Sequence, residues 1–214
     1  MRERNNILEL AALNPDYMGM IFYPGSLRFA GHAEPCVVSD LAENIILTGV
    51  FVNESEAIIL QTIKKYRLKA VQLHGNESAD FCDSLKKALT HNNIAAQIIK
   101  AFGIDDSFQF DYLEAYSSVV DYFLFDTKTT AFGGSGRRFN WDVLQRYRLD
   151  KPYFLSGGIG LSDLDELKLI EDERLYGIDI NSRFETSPAL KDLDQVGRAI
   201  QIIRKNEDRA PSEF

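Results

Sequence analysis

Tyr122-Phe123-Leu124-Phe125-Asp126 is a short apolar run that ends on a carboxylate. A Gly-rich loop follows, Thr127-Lys128-Thr129-Thr130-Ala131-Phe132-Gly133-Gly134-Ser135-Gly136-Arg137-Arg138, and then Asn140-Trp141, which reads as a helix start. A carboxylate on a hydrophobic strand costs free energy unless it opens into a pocket or is hydrogen-bonded. Parallel α/β enzymes place acid–base groups at such strand ends. The plainer alternative is an Asp that only caps the loop.

The same unit recurs in both directions along the chain. Apolar runs at 17–23, 45–52, 70–73, 95–101, 153–155 and 177–180 read as further strands. Most lack strict alternation, as expected of a parallel sheet covered on both faces. Helical stretches lie between them, among them 5–13, 54–66, 161–170 and 193–203. In the second, Ile59, Leu60, Ile63 and Tyr66 share a face, with Asn53 as the expected N-cap and Glu56 completing a capping box. Repeated βα units of this size allow an open doubly wound sheet or a closed (β/α)8 TIM barrel. No strand leads into G-x-G-x-x-G, which weakens the dinucleotide-binding form. Polar or glycine residues follow nearly every strand, which favours the barrel, whose site draws on all its βα loops. The count is seven strands where a barrel has eight, so the first strand of the barrel is missing from this chain.

The 214 residues, 45% hydrophobic and 26% charged, fit one domain over 1–205 and a polar tail over 206–214. A net charge of −8 argues against a nucleic-acid partner. Cys36 and Cys82 match no disulfide framework and no metal spacing. No apolar run is long enough for a membrane span, and Met1-Arg2-Glu3-Arg4 opens no secretory signal. The expectation is a cytoplasmic protein, monomeric or homodimeric, with a small phosphorylated substrate.

Two turns near the C-terminus look like an anion site. Ser156-Gly157-Gly158-Ile159-Gly160 precedes a helical stretch whose dipole would favour negative charge. Asp179-Ile180-Asn181-Ser182-Arg183 adds amide, hydroxyl and backbone donors, and the last two strands of a barrel recurrently hold phosphate. Gly-Gly alone reads equally as a tight left-handed turn. Arg28, in Tyr23-Pro24-Gly25-Ser26-Leu27-Arg28-Phe29, suits a substrate carboxylate, although a surface Arg is more often only solvated. Gln72 and His74, in Val71-Gln72-Leu73-His74-Gly75, are placed to face the barrel mouth. Lys128 and Arg137 read as loop-closure or solvated residues.

Taken in order, these motifs, with Asn14-Pro15-Asp16-Tyr17-Met18-Gly19-Met20-Ile21-Phe22-Tyr23, Phe139-Asn140-Trp141 and Phe184-Glu185, resemble the phosphoribosylanthranilate isomerase family of tryptophan biosynthesis. The resemblance spans nearly the whole chain. It implies an Amadori rearrangement of an aldosylamine to a 1-amino-1-deoxyribulose 5-phosphate, with no metal or organic cofactor. It implies Asp126 as the general acid on the ribose ring oxygen, a role that needs a carboxyl still protonated when substrate is bound. Arg28 would hold the anthranilate carboxylate, and Gly157, Gly158, Asn181 and Ser182 the phosphate. The family's general base is a cysteine in a Cys-Gly pair before Met-Arg, whereas here Met1-Arg2 opens the chain and Cys36 and Cys82 read as structural. The expectation is an additional strand upstream of Met1, and little turnover from the 214 residues alone. The alternatives are a seven-stranded phosphate-binding barrel without catalysis, or an isomerase of the related histidine-pathway aminoribose phosphate.

Overall fold

The computed structural model describes residues 1–39, 41, 43–128 and 138–207. The first half holds α1 (Arg4–Ala12), β1 (Tyr17–Ile21), α2 (Cys36–Ser39), β2 (Ile46–Phe51), α3 (Glu56–Tyr66), β3 (Ala70–Leu73) and α4 (Ala79–His91). Then come β4 (Gln97–Ile104), a 3₁₀ segment (Phe110–Tyr116), β5 (Tyr122–Thr127), a second 3₁₀ segment (Trp141–Arg146) and β6 (Tyr153–Leu155). The chain ends with a 3₁₀ turn (Leu161–Asp163) running into α5 (Leu164–Leu167), β7 (Leu175–Ile178), the hairpin β8 (Glu185–Ser187) and β9 (Leu190–Lys191), and α6 (Leu193–Glu207). The loop 129–137, with Gly133, Gly134, Ser135, Gly136 and Arg137, lies outside the described residues, as do 208–214.

The seven strands are ordered β1-β2-β3-β4-β5-β6-β7, every adjacent pair parallel. A doubly wound sheet reverses its order at a switch point; this one never does. It winds in one direction as a TIM barrel does, with seven strands among the described residues where that barrel has eight. The curl brings its ends together, since the rings of Tyr17 on β1 and Tyr176 on β7 stand 6.4 Å apart.

Two apolar layers result. Inside the curl, Ala70, Ile99, Ala101, Leu124 and Phe154 pack with Tyr17, Ile46 and Tyr122. Outside it, a larger cluster joins the opposite strand faces to the helices, through residues such as Phe123, Phe125, Ile59, Leu85 and Val196. Strand alternation sorts residues between the layers. Tyr122 and Leu124 face inward, so Asp126 does too; Ala70 faces inward, so do Gln72 and His74.

Several boundaries differ from the sequence reading. β4 runs on to Ile104 because Gly103 and Ile104 pair with Asp126 and Thr127. Asp126 is therefore inside its strand, which runs on to Thr127, rather than its last residue. Ser55, not Asn53, caps α3, its hydroxyl accepting from the Ile58 N–H at 3.4 Å. Asn53 instead adopts a left-handed φ of 50°, which Asn tolerates, and its side chain accepts from the Asn76 N–H at 2.7 Å. The helix expected over 161–170 is one 3₁₀ turn and a four-residue α5, too short for a substantial dipole. α6 extends to Glu207, so the start of the expected polar tail is helical.

In the sheet order β1 and β7 each have one neighbouring strand, with Phe29 and Ala30 covering only the Ile21 end of β1, and Gly19 and Tyr176 are exposed. Edge strands open at lower free energy than central ones. Amides of β1 and β7 are accordingly expected to exchange hydrogen at least about tenfold faster than those of β3–β5. Uniform protection across all seven strands, read by mass spectrometry or NMR, would contradict this. Among the described residues no helix is long and apolar enough to cross a membrane.

Candidate active site

A cavity of about 500 Å³ runs from the C-terminal ends of the strands along the space between β1, β7 and α6, and Arg28, Gln72, His74, Asp126, Gly157, Gly158, Asn181 and Ser182 all line it. Every candidate site residue from the sequence is thus brought to one place. Cys36 is exposed at the start of α2 and Cys82 is buried in α4, and neither lines the cavity. Burial pushes the Cys82 thiol up to about 11, which keeps it protonated and inert.

Asp126 sits in a chain of polar contacts. Its Oδ1 accepts the Thr127 N–H at 2.8 Å, and its Oδ2 lies 3.2 Å from His74 Nε2. On the other side of the ring, Gln72 Nε2 approaches His74 Nδ1 at 2.8 Å. An amide nitrogen can only donate, so Nδ1 is the acceptor and Nε2 carries the hydrogen that faces Asp126. Both side chains of the His74–Asp126 pair keep some solvent access, at 27% and 15%. The carboxylate is therefore reachable by a ligand and also held in direction.

The two turns adjoin this carboxylate. Gly157 and Gly158 have φ of +97° and +66°, the left-handed region that favours glycine. A Cβ on Gly157 would fall 2.6 Å from the Thr127 nitrogen and 2.9 Å from Asp126 Oδ1, so close approach demands glycine there as well. Beside them Asn181 and Ser182 begin the turn after β7. With α5 so short, the positive charge these turns present comes from backbone N–H groups and side-chain donors more than from a helix dipole.

Arg28 is already engaged. Its Nε donates to both Glu185 oxygens, at 3.1 and 2.8 Å, and Nη2 lies 2.7 Å from Oε2. Burial raises the Glu185 carboxyl, but Arg28 and Lys191 outweigh it and leave the group below its usual range. Nη1 takes no part in that pair. Lys128 is exposed and pairs with Asp105 at 2.6 Å, outside the cavity lining; Arg137 falls outside the described residues.

Three charged residues of the site were missed in the sequence. Lys191 donates to the Asn181 carbonyl at 3.1 Å and to Oδ1 at 2.8 Å, and its Nζ is 3.6 Å from Glu185. Burial lowers its pKa, with Glu185 and Asp179 opposing. Asp179 lines the cavity and accepts from Ser156 Oγ at 3.3 Å; burial first, and then the charge of Asp126, raise its pKa. Glu185 is the third. Among the described residues no group of three or more His, Cys, Asp or Glu is arranged to hold a metal ion.

A family model described as PRAI, N-(5'phosphoribosyl)anthranilate (PRA) isomerase, matches residues 1–202. The N-(5'-phosphoribosyl)anthranilate isomerase of Parabacteroides distasonis is 39% identical, over 99% of this chain and 96% of that protein. That of Phocaeicola vulgatus is 42% identical over 90% and 89%. Among solved structures, phosphoribosyl anthranilate isomerase from Thermotoga maritima is 27% identical with a TM-score of 0.80, covering 96% of each chain.

Proposed function

Because the chain belongs to the N-(5'-phosphoribosyl)anthranilate isomerase family of tryptophan biosynthesis, we propose that this cavity isomerises N-(5'-phosphoribosyl)anthranilate through the following residue roles. The Asp126 carboxyl gives its proton to the ribose ring oxygen as the C1′–O bond breaks, and the ring opens to an iminium. Loss of the C2′ proton to water sends the C–H electron pair into a C1′=C2′ bond, while the C=N pair moves to nitrogen. The resulting enolamine tautomerises to the ketose. The His74 Nε2–H faces Asp126 Oδ2, where it stabilises the carboxylate left by proton donation. The backbone N–H groups at Gly157 and Gly158, with Asn181 and Ser182, receive the phosphate, and Lys191 supplies positive charge behind Asn181. Arg28 takes the anthranilate carboxylate, with Gln72 fixing the ring of His74.

The observation that carries these roles is that the inward-facing Asp126 carboxylate and both glycine- and amide-bearing turns open onto a single cavity. Each step is a proton transfer or a bond shift, so the roles call for no redox group. Removal of the C2′ proton is the step that no cysteine lining the cavity serves among the described residues. We expect it to limit turnover.

The carboxylate role is tested by titration with the reduced product analogue, 1-(o-carboxyphenylamino)-1-deoxyribitol 5-phosphate, and its anilino counterpart lacking the carboxylate. Arg28→Met is expected to weaken the first about 10- to 100-fold, the range for losing a charge-assisted bidentate contact, and to leave the second nearly unchanged. Equal losses for both would remove Arg28 from the substrate.

A further inference from the structure

Behind the cavity, Glu77 and Lys100 form an ion pair at 3.0 Å with both side chains only 2% exposed. Taking two charges out of water is expensive, and such a pair is often no more stabilising than apolar residues of similar volume. What this pair does supply is geometry. Lys100 Nζ donates to the carbonyls of Leu73 at 3.2 Å, Gly75 at 2.9 Å and Ala101 at 3.0 Å. Leu73 and Gly75 are the residues immediately before and after His74. Glu77 accepts the Gly75 N–H at 2.9 Å and the Asn53 N–H at 2.8 Å. Asn53 in turn takes the Asn76 N–H at 2.7 Å, and a Cβ on Gly75 would fall 2.4 Å from Asn53 Oδ1.

The backbone on either side of His74 is therefore gripped from the helix side of the sheet, while its ring projects into the cavity. The Tyr116 hydroxyl closes the cluster on the Glu77 carbonyl at 3.3 Å. Among the described residues no other polar side chain hydrogen-bonds both peptide groups that flank His74. An apolar pair at 77 and 100 would fill the space but leave the Leu73 and Gly75 carbonyls and the Gly75 N–H without these partners.

We propose that the Glu77–Lys100 pair is a positioning device for His74, setting the height and tilt of the imidazole so that Nε2–H meets Asp126. Neither residue touches substrate; both act through the loop that carries His74. The inference rests on the roles given above to His74 and Asp126, and it adds the pair that orients them. Burial holds the Lys100 ammonium below its usual pKa, and the adjacent Glu77 opposes that shift.

The test is ¹⁵N NMR of the histidine rings, with His74→Gln to assign the His74 signals, alongside steady-state kinetics. The unsubstituted chain is expected to show His74 as a single Nε2–H tautomer. Lys100→Met/Glu77→Gln removes both charges at nearly constant volume and keeps one carbonyl acceptor at 77. It is expected to give a mixture of His74 tautomers and to lower kcat about 10- to 100-fold with KM little changed, the signature of a misplaced group rather than lost binding. A folded double variant with unaltered His74 signals and kcat would overturn the proposal. If the double variant does not fold, Glu77→Asp, which keeps both charges and shortens the reach to the Gly75 N–H, is read by the same signals, with the same two results decisive. Mixed tautomers in the unsubstituted chain would instead sink the His74–Asp126 contact on which the proposal stands.

Discussion

Asp126→Asn is expected to slow conversion of N-(5'-phosphoribosyl)anthranilate about 10²–10⁴-fold, the usual cost of losing a general acid. Asn has the shape of Asp and can still accept the Thr127 N–H, now 2.8 Å from Oδ1, so the cavity should keep its form. It has no acidic proton to give to the ring oxygen. Affinity for the reduced product analogue should hold, because that ligand has no ring to open and leans on the phosphate turns and Arg28. Single-turnover fluorescence at high enzyme concentration measures the first quantity, and titration the second. Equal rates for the two proteins would remove Asp126 from the chemistry, and loss of both rate and affinity would make its role structural.

The second large effect is expected at Gly157→Ala. Its φ of +97° strains any side-chain-bearing residue, and the added Cβ would lie 2.3 Å from Thr127 Oγ1 and 2.6 Å from the Thr127 nitrogen. Left-handed strain and overpacking against backbone together are expected to cost about 2–4 kcal/mol of stability. Because the clash also reaches Asp126 Oδ1, phosphate affinity and turnover should fall together. Gly160→Ala is the control: its nearest neighbour, Asp163 Oδ2, is 3.6 Å from the added Cβ and its φ is −125°. Denaturant unfolding of the two variants separates them. Similar stability for both would show that the Gly157 turn yields without difficulty.

Much of this site was readable because polar and glycine residues end the apolar runs, where a parallel α/β barrel carries its chemistry. The one-directional winding also followed from the polar residues after each strand. In the fold, alternation then carries Asp126 inward with Tyr122 and Leu124, and Gln72 and His74 with Ala70. Asp179 escaped because its strand is not regular. The pairing of β6 and β7 shifts register between Tyr153 and Phe154, so both Tyr176 and Gly177 fall against Phe154 and the parity beyond them inverts. A bulge of this kind leaves no mark in periodicity.

Glu185 and Lys191 were missed because their partners are distant or peripheral in sequence: Arg28 and Glu185 are 157 residues apart. Asn53 was misplaced as a cap because its side chain has a better acceptor role toward Asn76, in the next loop, than toward its own helix. The length of β4 is likewise set by its neighbour, since Gly103 has little strand preference of its own and is held by pairing with Asp126.

The grip of Glu185 on Arg28 has a consequence for the encounter with ligand. A free arginine side chain loses roughly 2 kcal/mol of rotamer freedom when it is fixed in one place. Here the hairpin fixes it while the chain folds, so that loss is already taken before any anthranilate arrives. Recognition then depends less on a long flexible cation finding its anion than on whether an incoming ring matches an edge that is already aimed.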